Sequence, residues 1–408
     1  LVAVVLANLR TSAKKIEHQI AHDYAVGDEA FARSMGTLLG PSLLPGNRVT
    51  ALYNGDQIFP AMLDAIAAAR RTITFETYIY WSGSVGRRFA DALAERARAG
   101  VRVHVLLDWI GSSKIDASTI EEMSNAGIEV VRYHPLRWYA LGRLNNRTHR
   151  KLLVVDGTVG FTGGVGIADE WLGHAQDRGH WRDSHFRIEG PAVAQMQSAF
   201  IDNWIESLGT VLHGDDYFPA IEPAGPQVAQ VFKSSASEAS ESVRFMYRLS
   251  IACATRHIRI ANAYFVPDQL SVETLVAAAQ RGVRVEIIVP GSKTDALVVR
   301  RASRSRWGPL LSAGIAIYEY QPTMYHTKVM TVDDIWTSVG STNFDSRSFR
   351  LNDEANLNVL DAECARGQSE AFEADKQRSK QVTLDGWRRR PWSEKLGDWA
   401  AGLLRLQL

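Results

Sequence analysis

Only two cysteines, Cys253 and Cys364, occur in 408 residues, too few for a disulfide framework or a thiolate metal site. Both read as small buried hydrophobes. No apolar run reaches the roughly 18 residues that a membrane-spanning helix needs. An excess of one charge is also missing: 46 Lys and Arg against 45 Asp and Glu leave +1, without the overall field of a general nucleic-acid binder. The 46% hydrophobic content excludes disorder and supports one large or two ordinary cores. Residues 1–9 (LVAVVLANL), followed by Arg10, Lys14 and Lys15, read either as the stub of a removed anchor or as the start of a packed helix.

What the sequence does have is an internal repeat. Residues 67–76 (AAARRTITFE) are echoed by 252–261 (ACATRHIRIA), 98–105 (RAGVRVHV) by 280–287 (QRGVRVEI), and 125–131 (NAGIEVV) by 312–318 (SAGIAIY). Each half alternates amphipathic helical stretches with short β-branched runs, and Gly100, Gly127, Gly282 and Gly314 stand where helices should stop. The pattern predicts an α/β fold of two repeated α/β/α lobes with mixed, mostly parallel sheets and helical segments at both ends. We expect an N-terminal helical segment over 1–44, lobes over 45–215 and 225–375, and an amphipathic tail over 376–408.

After its third echo each half carries one His-x-Lys-x4-Asp motif, His149-Lys151-Asp156 and His326-Lys328-Asp333. Strand alternation puts each histidine and its lysine on one face. A single copy arises by chance on the order of 10⁻⁴ per start position; two copies at matching places in a repeat are poorly explained by coincidence. Glycine-bearing segments follow, Gly163-Gly164 with Gly166 and Gly340-Ser341 with Asn343, and are expected to let backbone amides approach a phosphate. Later acids follow as well, Asp183 and Glu354. His104, His134 and His213 read as ordinary satisfied polar residues.

These paired motifs resemble the phospholipase D superfamily over roughly residues 50–361. Phe75-Glu-Thr-Tyr-Ile-Tyr80, Trp181-Arg-Asp183, Tyr264-Phe-Val-Pro-Asp268 and Ser346-Arg-Ser-Phe349 are most similar to bacterial cardiolipin synthases of that type. The resemblance implies one shared active site without metal or cofactor. In it His149 is the nucleophile that forms a phosphohistidine and His326 the acid/base. Asp183 and Glu354, each downstream of a motif, orient that motif's histidine. Lys151 and Lys328 would hold the non-bridging oxygens, helped by Asn343 and Ser341, while Asp156 and Asp333 are expected to be structural. One departure stands out: Gly166 replaces the asparagine that the second half keeps as Asn343, so one side lacks a side-chain amide.

The implied reaction transfers a phosphatidyl group between phosphatidylglycerol molecules at the bacterial cytoplasmic (inner) membrane, by a chain that is peripheral or anchored upstream of Leu1. Phosphatidylethanolamine is a second candidate lipid, and no nucleic-acid partner is expected. Phospholipase D hydrolysis to phosphatidic acid and a nuclease activity are the alternatives; oligomeric state is left open. Three segments bear on an anionic membrane surface: the Leu-, Trp- and Arg-bearing loop 135–144, the Arg300–Arg306 cluster, and Trp387 to Trp392 leading into Leu396, Trp399, Ala400 and Leu403 on one helical face. Each also has a plain structural reading, as packed or solvated surface.

Overall fold

The computed structural model describes residues 18–135, 146–235, 241–404 and 407. The apolar segment 1–9, with Arg10, Lys14 and Lys15, and loop residues 136–144 lie outside the described residues.

The first half contributes β1 (Leu44–Tyr53), β2 (Thr72–Thr77), β3 (Arg102–Asp108), β4 (Glu129–Tyr133), β5 (Arg147–Thr148), β6 (Leu152–Val155), β7 (Val159–Gly163) and β8 (Ser184–Glu189). The second contributes β9 (Gln227–Ser234), β10 (His257–Asn262), β11 (Arg284–Pro290), β12 (Ala316–Tyr320), β13 (Lys328–Val332), β14 (Trp336–Gly340), β15 (Asn352–Leu360) and β16 (Ser379–Val382). They form one continuous sheet in the order β16-β12-β11-β10-β13-β14-β15-β9-β1-β8-β7-β6-β2-β3-β4, with β5 beside β15. The order reads as the same motif from either end, and the two copies meet where β1 runs antiparallel to β9.

Mixed pairing is as expected, but parallel pairs are the minority, which corrects the mostly parallel reading. β2–β3–β4 and β10–β11–β12 are parallel because a helix crosses over between successive strands, such as Ser84–Arg98 and Gln269–Gln280. Gly100 and Gly282, at φ +91° and +93°, make the matching left-handed turns that end those two helices. β6–β7 and β13–β14 are joined by only three residues, too few to cross over, so those strands turn back antiparallel, as do β8 and β15 beyond them.

Two hydrophobic cores lie on one side of the sheet. Helices Asn54–Ala68 and Ser84–Arg98 cover the first half, and Glu29–Leu39, Ser242–Ala252 and Gln269–Gln280 the second. A third core on the other side is shared: Phe186, Phe200 and Trp204 join Val231, Tyr325 and Leu357 in one cluster. The shared core makes the seam an interior rather than a hinge. Among the described residues no helix is long and apolar enough to cross a membrane.

Asp156 and Asp333 each accept backbone hydrogen bonds at a strand entry. The Asp156 carboxylate accepts hydrogen bonds from the amides of Arg70, Arg71 and Thr72 at 2.7–2.9 Å, where the chain enters β2. Asp333 does the same for Thr255, Arg256 and His257 at the entry to β10, and also accepts from the Thr255 hydroxyl. Replacing either by alanine strands three donors, so unfolding free energy should fall by about 2–4 kcal/mol in denaturant titrations. Turnover per folded molecule should change little.

Candidate active site

Each motif lies where its chain runs into an inner strand, and each lead-in is gripped by the opposite half. The His149 amide donates to the Asp353 carbonyl at 2.9 Å, beside the β5–β15 pairing of Arg147 with Asn352 and Thr148 with Asp353. The His326 amide donates to the Arg182 carbonyl at 2.8 Å, beside a bridge between Arg182 and Tyr325. In each case the next residue of the gripping strand is an acid. Glu354 Oε2 therefore lies 3.0 Å from His149 Nδ1, and Asp183 Oδ2 lies 2.7 Å from His326 Nδ1. The acids do pair with the histidines, but each crosses to the other half, which corrects the assignment of each acid to its own motif.

Buried supports fix both acids. Asp183 accepts from the Trp171 indole at 2.9 Å and from the Ser184 amide at 2.8 Å. Glu354 accepts from the Ser341 hydroxyl and, at 3.4 Å, from Asn352. Burial alone would raise both carboxylates; the paired histidine, the nearby lysine and these hydrogen bonds outweigh it and hold both below the usual range. An ionised acid can only accept, so each Nδ1 carries the proton and each Nε2 presents its lone pair. Burial pushes His149 down to about 4 against the pull of Glu354, with Lys151 adding to the fall. His326 is lowered as well, by burial and then Lys328.

The lysines stand beside the rings. Lys151 Nζ donates to the His149 carbonyl at 2.8 Å. Lys328 Nζ donates to the His326 carbonyl at 2.6 Å and sits 3.1 and 3.2 Å from the two ring nitrogens. His149, Lys151, His326 and Asn343 line one cleft of about 360 Å³; Lys328 is outside that lining, against the His326 ring. Ser341 stands behind Glu354 rather than in that lining.

The glycines serve the acids and the sheet. Gly164 donates its amide to the Ser184 carbonyl, and a Cβ there would lie 2.2 Å from Asp183 Oδ1. Beside Gly340 a Cβ would lie 2.3 Å from the Ala355 carbonyl, and beside Gly163 one would lie 2.6 Å from His185 Cα. None of the three lines the cleft, so the expectation that they cradle a phosphate gives way to close packing. Gly166 is explained by its neighbour: a Cβ there would come within 2.8 Å of Ile79 Cβ, and Ile79 lines the cleft. One wall thus offers the Asn343 amide and the other an isoleucine.

Sequence reading missed part of the lining: Tyr78, Tyr264 and Asp295, with Arg147, Arg347 and Asp345. Tyr78 and Tyr264 follow β2 and β10 by one and two residues, at the carboxyl ends of strands, where α/β sheets place their ligands; that position was the available signal. Tyr78 meets the His149 ring edge-on at 5.3 Å, while Trp171 and Trp181 stand 5.3 and 5.4 Å from His326. His104 and His134 are satisfied as expected, by Glu129 and Tyr217 and by Asn146 and Glu206. The Arg300–Arg306 cluster is largely committed: Arg300 pairs with Glu319, Arg304 with Glu394 and Arg306 with Gln269, leaving Arg301 exposed.

Burial and mutual repulsion lower Lys151 to about 7, and burial lowers Lys328 to about 8. An anion binds their protonated forms, so binding should take up protons near neutral pH and weaken as pH rises past 8. Calorimetry of inorganic phosphate binding in buffers of different ionisation heat checks this; affinity unchanged between pH 6 and 9 would contradict it.

Matches to known proteins show the family and the fold. The family model described as "Cardiolipin synthase, PLD-like domain" matches residues 62–204 and 248–376, one stretch in each half. Cardiolipin synthase 2 of Bacillus anthracis is 36% identical over 342 residues, 83% of this chain and 66% of that protein. Cardiolipin synthase 1 of the same organism is 35% identical over 354 residues, 85% and 69%. The chain thus spans about two thirds of the length of these curated relatives. The phosphatidylserine synthase structure of Haemophilus influenzae shares the fold, with a TM-score of 0.71 over 92% of this chain and 99% of that one at 15% identity. The chain belongs to the phospholipase D-like family of cardiolipin synthases.

Proposed function

We propose that the chain is a phosphatidyltransferase that moves a phosphatidyl group from one phosphatidylglycerol to another, giving cardiolipin and glycerol. The observation that carries this reading is the convergence on one cleft of two imidazoles, each held by an ionised acid, with two buried lysines beside them.

A phosphodiester resists attack because its anionic oxygens repel nucleophiles and its leaving group is a poor alkoxide. Lys151 and Lys328, charged once the phosphate enters, neutralise the non-bridging oxygens, and the Asn343 amide donates a further hydrogen bond. His149 Nε2 attacks phosphorus and the bond to the glycerol headgroup breaks. His326, which takes up a proton at Nε2 as the anionic phosphate enters beside it, gives that proton to the departing oxygen. A hydroxyl of the second phosphatidylglycerol then attacks the phosphohistidine, His326 takes that hydroxyl's proton, and His149 leaves. Glu354 and Asp183 favour the cationic rings that this sequence passes through. Burial lowers both histidines, so the role of His149 as nucleophile rests on the family resemblance.

His149→Ala and His326→Ala should each lower turnover by roughly 10⁴-fold or more while circular dichroism and melting stay close to those of the parent chain. Acid-quenched enzyme should carry the phosphatidyl adduct on His149 by peptide mass spectrometry; an adduct on His326 would exchange the two roles. With phosphatidylglycerol vesicles, with and without phosphatidylethanolamine, cardiolipin should be the main product by mass spectrometry. Phosphatidic acid in its place would make the chain a hydrolase working with the same residues.

A further inference from the structure

The helix Trp392–Leu403 is built with its polarity reversed for a helix packed on a protein. Its inward face holds Asp398, Ala401 and Gly402, against helix Leu297–Arg304. Polar contacts fasten it there: Arg304 pairs with Glu394 and Asp398, and Arg390 with Asp398. The approach is close, since a Cβ on Gly402 would lie 2.9 Å from Ser305 Oγ. Its large apolar side chains point the other way. Trp392, Leu396, Trp399 and Leu403 recur at helical spacing, and they are 77%, 54%, 61% and 61% exposed, with Leu404 beside them. Trp387 does not share this face: it packs on Gly308 and donates to the Arg304 carbonyl.

An outward stripe of two tryptophans and three leucines, on a helix already anchored by its opposite face, is far more apolar surface than a helix leaves in water without a partner. The surrounding charge selects that partner. Arg301, Arg388 and Lys395 are exposed on this helix or on the segments next to it, while the exposed Arg389 pairs with Asp385. The helix is also coupled to the cleft. Leu297–Arg304, on which it rests, supplies Val299 to the cleft lining and exposes Leu297 and Val298 next to it. Gln407, just beyond the stripe, lines the cleft and accepts from Arg347 at 3.4 Å.

We propose that Trp392–Leu403 lies in the surface layer of an anionic phospholipid bilayer, stripe inward, and that it holds the mouth of the cleft at the level where headgroups are presented. Basic side chains around tryptophan and leucine suit an anionic interface, with the rings among the headgroups and the leucines below them. The inference rests on the proposed lipid function only in its choice of occupant.

Flotation with phosphatidylcholine vesicles containing phosphatidylglycerol tests it, because binding is read without turnover. Trp399→Glu combined with Leu403→Glu should weaken vesicle partitioning about tenfold or more. Leu38→Glu, an equally exposed leucine elsewhere, should leave it unchanged. Lys395→Glu should weaken binding to the mixed vesicles but not to phosphatidylcholine alone. Turnover of short-chain phosphatidylglycerol dissolved as monomers should stay within about twofold in the double variant, while turnover of vesicle lipid falls with binding. Unchanged flotation of the double variant overturns the proposal, as does a parent chain that sediments as a dimer and becomes monomeric in the double variant with flotation intact. Normal flotation without turnover of either lipid would instead overturn the functional reading and leave this one standing.

Discussion

Each imidazole of the cleft takes its carboxylate from the other half of the chain, and that exchange is the constraint around which the rest is arranged. A lead-in to each motif must lie alongside the start of the opposite half's β8 or β15, so that one backbone hydrogen bond sets the register and the next residue's acid reaches the ring. Buried arginines hold both seams. Arg150, between His149 and Lys151, donates to the Glu354, Ala199 and Ser234 carbonyls, and Arg182 pairs with Asp375 while donating to the Asp183 carbonyl. Breaking either seam would leave a buried carboxylate and a buried histidine facing nothing.

Burial of so many charges is tolerable because they compensate one another at short range. Two acids, two lysines and two rings occupy the same buried region, and every shift within it is a balance of desolvation against a named neighbour. The lysines' lowered values record what burial costs a cation there, and the charge of a phosphodiester would offset that cost.

Much of this was legible in the sequence because it is local or periodic. The repeat, the helix-stopping glycines and the two motifs follow from spacing alone, whereas the structural role of Asp156 and Asp333 came only with the family resemblance. Strand direction was less legible: β-branched runs look alike whether a helix or three residues separate them, and only the short links at 156–158 and 333–335 force antiparallel pairing. The crossed acids were not legible at all, since His149 and Glu354 lie 205 positions apart and their contact depends on the register of β5 against β15. Glycine carried two meanings, and the sequence could not separate a phosphate cradle from room for a carboxylate, which is what Gly164 provides. The arginines of 300–306 looked like a free patch because their partners, Glu319 and Glu394, come from other elements.

The crossing also orders events in time. Synthesis from the amino terminus delivers Asp183, just ahead of β8, long before His326 exists, and it delivers His149 long before Glu354. Through most of translation the nascent chain therefore carries a histidine with no base behind it and an acid with no ring to hold. His149 can gain its carboxylate only after β15 has emerged and paired between β14 and β9, so the last inner strand to be made completes the first motif.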